Sequence, residues 1–301
     1  MSNRRTKFFS AAVALLKQTA SEWSEDKAPQ LGAALAYYTV FSLAPLVLLL
    51  LAIVGVLFRK DPAGAWSRMT EQMSMFLDAG AVKMVQDIAQ KAAQPGKGVP
   101  ATIIGIALAL FGASGVFGQL QDALNTIWGV KAKPGRGIWG FLRARFASFA
   151  MVAGVCFLLL VSLTFEAILK VISQYLEATF PGGSGFAFAL YFIVDLALIA
   201  FLFAMMFKFV PDAKIKWRDV WVGGVLTAIF FLIGKWALGI YLASGAAASA
   251  YGAASSLITL LLWVYYSAQI LLFGAEFTQV YSDRYGSHVK PNEFAVSVKR
   301  Q

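Results

Sequence analysis

Two ionisable side chains interrupt long apolar stretches of this sequence, and both are placed where they could do chemistry inside a membrane. Asp195 lies about nine residues into the stretch 186–209, and Lys235 lies about sixteen residues into the stretch 220–242. A charged side chain at the centre of a bilayer costs about 2.5–3.5 kcal/mol on insertion scales. Each of the two therefore needs an interior partner or a functional reason.

The depths of Asp195 and Lys235 allow them to meet. If the two stretches form adjacent antiparallel helices, the depths differ by about three residues, or about 4.5 Å at the rise of a helix. One interpretation is a structural salt bridge, or a lysine that extends to the membrane surface. The other interpretation is a site that binds a substrate or carries a proton.

Polar residues form a stripe along the last apolar stretch. They recur at helical spacings of three and four residues or multiples of these, and they are Ser255, Thr259, Tyr266, Gln269 and Glu276. A shorter stripe near the second stretch contains Ser114, Gly118, Gln121 and Asn125. Such stripes put polar groups on one helix face. They indicate either hydrogen bonds between helices or a hydrophilic cavity lined by both stripes.

Some residues are expected to shape the backbone of the helices. Pro45 lies within the first apolar stretch and clashes with the carbonyl of Phe41, so we predict a kink there. Tyr38 and Ser42 precede the kink by one to two turns, which fits either an opening pathway or simple accommodation of the proline. Small residues predict close helix packing elsewhere, among them Gly223, Gly224 and Ala228.

Several kinds of active site are excluded by what the sequence lacks. The chain has one histidine, His288, and one cysteine, Cys156, so a multi-histidine or cysteine-based metal centre cannot form within it. The phosphate-binding motif G-x-x-x-x-G-K-[ST] does not occur, which argues against ATP-driven transport by this chain alone. We expect no catalytic residues, no metal and no cofactor, and hence no enzyme.

The composition indicates an integral membrane protein. Apolar residues make up 59% of the 301 residues, charged residues make up 14%, and the mean hydropathy is +0.67. A helix needs about 20 apolar residues to cross a bilayer. The sequence predicts an all-α fold with six spans, at 31–58, 98–121, 146–165, 186–209, 220–242 and 253–281. These spans form a domain at 31–283, with an outer helical cap at 59–97.

The distribution of positive charge predicts the orientation. Lysine and arginine number five in residues 1–30, five in 122–145, four in 208–219 and four after Glu276, which makes 18 of the 26. Because such residues collect on the cytoplasmic side, we expect both termini there. The net charge of +10 then reflects orientation and attraction to anionic lipids, and no nucleic-acid partner is expected.

Amphipathic helices are expected outside the spans. The cytoplasmic segment 1–30 has apolar residues at helical spacing, which favours a helix lying in the membrane interface over a cleaved signal peptide. The cap at 59–97 shows the same periodicity, so one or two amphipathic helices are predicted there. The segment 284–301 is interpreted as a cytoplasmic tail.

Several short motifs together resemble one family. The first span opens with GAALAYYTVFSLAP at 32–45, and later segments read FVPD at 209–212, WVGG at 221–224, YGAASS at 251–256 and GAEF at 274–277. The combination is similar to the YihY/BrkB family of bacterial inner-membrane proteins, which long carried a ribonuclease BN label. The resemblance implies six spans in the cytoplasmic membrane and a transporter-like protein that handles envelope lipids.

The leading hypothesis from the sequence is a transporter or lipid translocase that does not hydrolyse ATP. A polar cavity between the first span, the two stripes and the Asp195–Lys235 pair would hold a lipid head group. The alternative is a scaffold that binds periplasmic envelope proteins through the cap at 59–97. Ribonuclease activity is not expected, because no histidine or carboxylate constellation for RNA cleavage is visible. The sequence does not indicate an oligomeric state.

Overall fold

The computed structural model describes residues 2–57, 60–74, 79–92, 115–133, 183–243, 255–286 and 288–298. This part of the chain is mostly helical. Contacts divide the chain into two compact units. The first unit contains Met1–Asp26, Gln121–Leu232 and Ile270–Gln301, and the second contains Lys27–Leu120 and Ile233–Gln269.

Eight helices and four short strands can be placed in the described residues. The helices are α1 Ser2–Glu25, α2 Ala28–Leu57, α3 Pro62–Met73, α4 Ala79–Ala92, α5 at residues 115–127, α6 Gly183–Phe209, α7 Trp217–Ala243 and α8 Ser255–Tyr285. The strands are β1 Val130–Ala132, β2 Ala213–Lys214, β3 Lys290–Pro291 and β4 Ala295–Ser297.

Three helices in the described residues are long and apolar enough to cross a membrane. The candidate spans are Phe192–Phe209, Trp217–Tyr241 and Leu257–Tyr285. They confirm the helices predicted at 186–209, 220–242 and 253–281. Helix α2 covers the predicted first span. The predicted third span and most of the second lie outside the described residues, as does the segment 244–254, so the count of six stays a prediction.

Helix α7 has one outward apolar face. Its exposed side chains recur every three or four residues and are 39% to 71% exposed: Trp221, Val225, Ile229, Ile233, Trp236 and Ile240. Gly223, Gly224 and Thr227 lie on the other side of the helix and are buried. A long exposed apolar stripe marks a surface for protein or membrane contact, and in a candidate span it is the surface that lipid covers.

The second half of α8 is the centre of the first unit. Nearly every residue from Ile270 to Val280 is buried. Leu15 of α1 packs against Phe277 and Val280 of α8, with Val222 and Leu226 of α7 beside them. The N-terminal helix therefore lies against the helices of the first unit through Leu15, while Leu16 and Lys17 are exposed.

Helices α7 and α8 approach each other at paired glycines and threonines. A Cβ placed on Gly223 would collide with the side chain of Thr278, and a Cβ placed on Gly274 would collide with Thr227. Beside this contact, a Cβ on Gly224 would lie 2.6 Å from the carbonyl oxygen of Ala200 in α6. The close packing predicted from the small residues is confirmed at Gly223 and Gly224, because a side chain at either position has no space.

Four short strands join three chain segments at one end of the first unit. Strand β1 pairs antiparallel with β4, with Lys131 opposite Val296, and β2 pairs antiparallel with β3, with Lys214 opposite Lys290. The short segments 130–132 and 213–214 therefore both pair with the C-terminal tail. The tail is not a free extension, since its residues 290–297 complete both small sheets.

The second unit contains the cap helices. Helices α3 and α4 lie within the predicted cap at 59–97, and Val85 and Ala89 of α4 pack against Val47 of α2, with Trp66 of α3 alongside. Asp61 precedes α3, and its Oδ1 accepts a hydrogen bond of 2.8 Å from the backbone N–H of Gly64. This is the geometry of a helix N-cap, which explains why α3 begins at Pro62.

Candidate functional site

Asp195 and Lys235 lie on helices α6 and α7, inside candidate membrane spans, and both side chains are half-buried. The structure therefore places both charges within apolar helices, as the sequence predicts. Asp195 belongs to the first compact unit and Lys235 to the second. Their pairing stays a prediction.

The polar stripe of α8 packs against glycines in the second unit. The Tyr266 hydroxyl occupies the space where a side chain at Gly234 would lie, one residue before Lys235. The side-chain amide of Gln269 lies against Gly32 of α2, and its Nε2 donates a long hydrogen bond of 3.5 Å to the carbonyl of Pro29. Both polar groups therefore lie at contacts between helices.

Other members of the α8 stripe are also turned inward. Thr259 is 1% exposed and Glu276 is fully buried, while Ser255 is half-buried. Glu276 lies within the candidate span Leu257–Tyr285. A carboxyl group at such a depth must be neutral or balanced by a nearby donor or charge, because burial of a lone carboxylate is prohibitive.

The polar residues of α2 face the beginning of α5 in the second unit. A Cβ placed on Gly115 would lie 3.5 Å from Cδ1 of Tyr38 and 4.0 Å from Oγ of Ser42. Ser42 is 3% exposed, whereas Tyr38 is 42% exposed. Helix α2 continues through Pro45, and the predicted kink stays a prediction. The structure therefore brings Tyr38 and Ser42 to the helix that carries the shorter polar stripe.

Asn125, a member of that stripe, is held by Asp212 in the first unit. The Asn125 Nδ2 donates to Oδ2 of Asp212 at 3.2 Å, and the backbone N–H of Asp212 donates to Oδ1 of Asn125 at 2.7 Å. Asn292 adds two bonds, from its Nδ2 to Oδ1 of Asp212 at 3.2 Å and from its backbone N–H to the Asp212 carbonyl at 2.9 Å. We call Asn125, Asp212 and Asn292 the Asp212 junction.

The Asp212 junction ties α5, the 210–216 loop and the C-terminal tail together. Asp212 and Asn125 are 9% and 6% exposed. Gln121, one turn before Asn125, is half-buried. Sequence reasoning singled out Asn125 but not Asp212, although Asp212 ends the motif FVPD. The partners are 87 residues apart, so their contact exists only in the folded chain.

The pKa of the Asp122 side chain is affected by Asp212 of the Asp212 junction. It lies beyond the end of the predicted second span and three residues before Asn125. Partial burial, followed by the nearby negative charge of Asp212, raises the pKa of Asp122 above its ordinary value. Both causes act in the same direction because each disfavours the ionised carboxylate.

A second buried carboxylate lies at the beginning of α7. Asp219 is 2% exposed and accepts a hydrogen bond of 3.0 Å from the Ser282 hydroxyl, which is itself 1% exposed. A Cβ on Gly286 would lie 2.6–2.8 Å from the Asp219 carboxylate. Asp219 stands in the first turn of its helix, where the helix dipole favours a negative charge. The predicted site residues do not include it, because it follows a loop outside the predicted spans.

Within the described part of the chain, no group of three His, Cys, Asp or Glu side chains is arranged to hold a metal ion. The buried carboxylates of Asp212 and Asp219 instead accept hydrogen bonds from neutral side chains.

Comparison with known proteins identifies the family. The profile of the family described as Virulence factor BrkB matches residues 19–297. The chain belongs to the BrkB family. The match covers most of the chain and confirms the resemblance to YihY/BrkB proteins. Together with the candidate spans, it makes this chain an integral membrane protein of the BrkB family.

Curated relatives of this BrkB-family chain are named UPF0761 membrane proteins. The relative from Ralstonia nicotianae is 29% identical over 259 residues, which are 83% of this chain and 55% of the relative. A relative from Pseudomonas aeruginosa is 26% identical, and the match covers 89% of this chain and 62% of the relative. A relative from Albidiferax ferrireducens is 30% identical, and the match covers 84% of this chain and 58% of the relative. This chain thus spans just over half the length of these relatives. No solved structure matches it.

Proposed function

We propose that this BrkB-family protein moves an amphipathic lipid across the bacterial cytoplasmic membrane without hydrolysing ATP. The lipid head group would pass along polar side chains between helices while the acyl chains stay in the bilayer. In this proposal the protein is not an enzyme and uses no cofactor. Six spans and cytoplasmic termini complete the proposed topology.

The observation that carries the proposal is the set of polar groups within the second unit. Lys235 follows Gly234, which contacts Tyr266, and Tyr38 and Ser42 lie by Gly115. These groups stand on apolar helices, where an unneeded polar or charged residue is costly. A cation at this depth favours a substrate with an anionic head, such as a phospholipid.

Asp195, the charged residue within the candidate span of α6, is proposed as a second residue of the path. Its carboxylate would offset positive charge in the membrane interior, where an uncompensated charge is costly. The outward apolar stripe of α7, including Ile233 and Trp236, supports a path open to lipid, because it provides a surface along which acyl chains can stay in contact with the bilayer.

The test is lipid scrambling in liposomes that contain the purified full chain. A fluorescent phosphatidylglycerol with its label on the head group is quenched from outside, so the fraction of quenched lipid measures transfer between leaflets. We expect the wild type to exceed empty liposomes, and Lys235→Gln and Asp195→Asn to lose at least tenfold in rate.

The matched control for Lys235→Gln is Lys60→Gln, which removes the same charge from an exposed position outside the candidate spans. We expect this variant to retain the wild-type rate. A wild-type rate equal to that of empty liposomes contradicts the proposal, as does an equal loss in Lys60→Gln.

The alternative function is a scaffold for periplasmic envelope proteins. The folded cap favours it, since α3 and α4 pack against α2 and leave Arg68, Glu71, Lys83 and Asp87 exposed. A crosslinker placed at Glu71 or Asp87 would capture a defined periplasmic partner in cells, and scrambling would be absent. Capture together with scrambling would instead favour a translocase that has a partner.

A further inference from the structure

Three lysines share one exposed face at the strand-bearing end of the first unit. Buried and exposed residues alternate along 213–216. Ala213 and Ile215 are 7% and 3% exposed, whereas Lys214 and Lys216 are exposed. Successive side chains of an extended segment point to opposite sides, so Lys214 and Lys216 lie on the same side. Lys290 lies directly opposite Lys214 in the β2–β3 pair and is also exposed. We call Lys214, Lys216 and Lys290 the lysine face.

The lysine face concentrates positive charge that the described residues do not neutralise. Side chains directly opposite in an antiparallel pair have Cβ atoms about 5 Å apart, and like charges there are destabilising. None of the three ammonium groups makes an ion pair with a carboxylate in the described part of the chain. An anion bound between Lys214 and Lys290 would relieve their repulsion.

Exposed aromatic residues support a position of this face at the membrane surface. The candidate span in α6 ends at Phe209 and the one in α7 begins at Trp217, so the loop that carries Lys214 and Lys216 is only seven residues long. Phe209 and Trp217 are 61% and 42% exposed and make an edge-to-face contact with ring centroids 5.9 Å apart. Aromatic residues of this kind lie at the level of the lipid head groups.

The loop is held in shape before any ligand binds. The Lys208 ammonium lies 5.8 Å from the centroid of the Trp217 ring and donates to the carbonyl of Ile215. The Asp212 junction holds the same loop at Asp212, whose carboxylate accepts hydrogen bonds from Asn125 and Asn292. A face that is already ordered loses little conformational entropy on binding, which favours affinity.

We propose that the lysine face binds the phosphate group of an anionic phospholipid in the adjoining leaflet. The ammonium groups of Lys214 and Lys290 would pair with the phosphate, Lys216 would add attraction, and Trp217 with Phe209 would contact the glycerol and upper acyl region. Such binding anchors this end of the protein to anionic membrane and requires no movement of lipid between leaflets. It is therefore independent of the proposed translocation.

The experiment measures lipid binding to the detergent-solubilised full chain by native mass spectrometry. The probes are phosphatidylglycerol and phosphatidylcholine with identical acyl chains. We expect preferential binding of phosphatidylglycerol. The variant Lys214→Gln/Lys216→Gln/Lys290→Gln should lose at least tenfold in affinity for it, since each basic residue near an anionic surface contributes about fivefold. Replacement of the same three lysines by arginine should retain the preference.

The matched control removes three other exposed lysines, in Lys17→Gln/Lys60→Gln/Lys83→Gln. It has the same net charge as the test variant, so an equal loss in both would show a general charge effect and overturn the proposal. Equal binding of the two lipids by the wild type would also overturn it. So would displacement of phosphatidylglycerol by equimolar inorganic phosphate, because the face would then be a site for free phosphate. An unfolding temperature of the test variant that is no lower than that of the wild type verifies that the fold is intact.

Discussion

The side chain of Thr278 fills the space that Gly223 leaves on the surface of the facing helix. The relationship is reciprocal, because Thr227 fills the space at Gly274. Each threonine hydroxyl donates to the carbonyl four residues earlier on its own helix, Thr227 to Gly223 and Thr278 to Gly274, both at 2.6 Å. With its hydroxyl satisfied, each threonine presents a compact surface to the other helix, so α7 and α8 can approach closely inside a bilayer.

This contact predicts a strong position dependence for glycine substitutions on α7. Gly223→Ala should destabilise the protein by about 1–3 kcal/mol, because the added methyl group collides with Thr278. Gly239→Ala is the matched control, since no atom of the described residues lies within 4 Å of a Cβ there. It should be neutral or slightly stabilising. Thermal unfolding in detergent measures both, and adding Thr278→Ala should recover part of the loss in Gly223→Ala. Equal effects of the two alanines would contradict the packing argument.

The Asp212 junction predicts that the C-terminal tail loosens when either asparagine is removed. Asn125→Ala leaves the buried carboxylate and the N–H of Asp212 short of partners, at a cost of about 1–3 kcal/mol. Limited proteolysis should then cut residues 288–298 faster, together with a lower unfolding temperature. Thr126→Ala is the control, because the exposed Thr126 hydroxyl donates to the carbonyl of Asp122 on its own helix. Unchanged proteolysis in Asn125→Ala would mean that the strands alone hold the tail.

The buried bond between Ser282 and Asp219 predicts a larger effect than an exposed bond of the same type. Ser282→Ala removes a donor from a carboxylate that is 2% exposed, and we expect a loss of about 1.5–3 kcal/mol. Ser21→Ala removes the exposed bond from Ser21 to Glu25 and should change stability by less than about 0.5 kcal/mol. Thermal unfolding of the two variants under one set of conditions gives the comparison, and similar losses would contradict the assignment of Asp219 as buried.

The raised pKa of Asp122 predicts how stability depends on pH. In the folded protein this carboxyl group binds its proton more tightly than in the unfolded chain, whose ordinary value is 3.8. The stabilising contribution is therefore complete below that ordinary value and is lost as the pH rises through the folded-state pKa. At neutral pH the ionised group is a net cost beside Asp212.

Asp122→Asn removes that cost, so the variant should unfold at a higher temperature than the wild type at pH 7. The difference should shrink as the pH falls below the ordinary range for aspartate. Asp87→Asn, at an exposed position on α4, should follow the wild type at every pH. Unfolding temperatures measured across this range provide the check, and a difference that grows towards low pH would reverse the assigned sign.

Some of the site could be predicted because intramembrane polar residues are conspicuous against an apolar background. Tyr266, Gln269 and Glu276 were identified from spacing alone, and all three are at least partly buried on α8. Their neighbours could not be predicted, because the position of a contact along a helix depends on the rotation and depth of both helices. Gly32 and Gly234 became partners of Gln269 and Tyr266 only through that packing.

The sequence by itself determined that the chain is a membrane protein, which family it belongs to, and where the apolar helices α6, α7 and α8 lie. A bilayer demands about 20 apolar residues in a row, so run length alone locates a span. The tertiary structure alone decided that the C-terminal tail joins the 210–216 loop and α5 around Asp212, and that Lys214 faces Lys290. The physical reason is that run length is local, whereas hydrogen bonds and charge clusters between residues 63 to 87 positions apart arise only when packed helices bring their ends together.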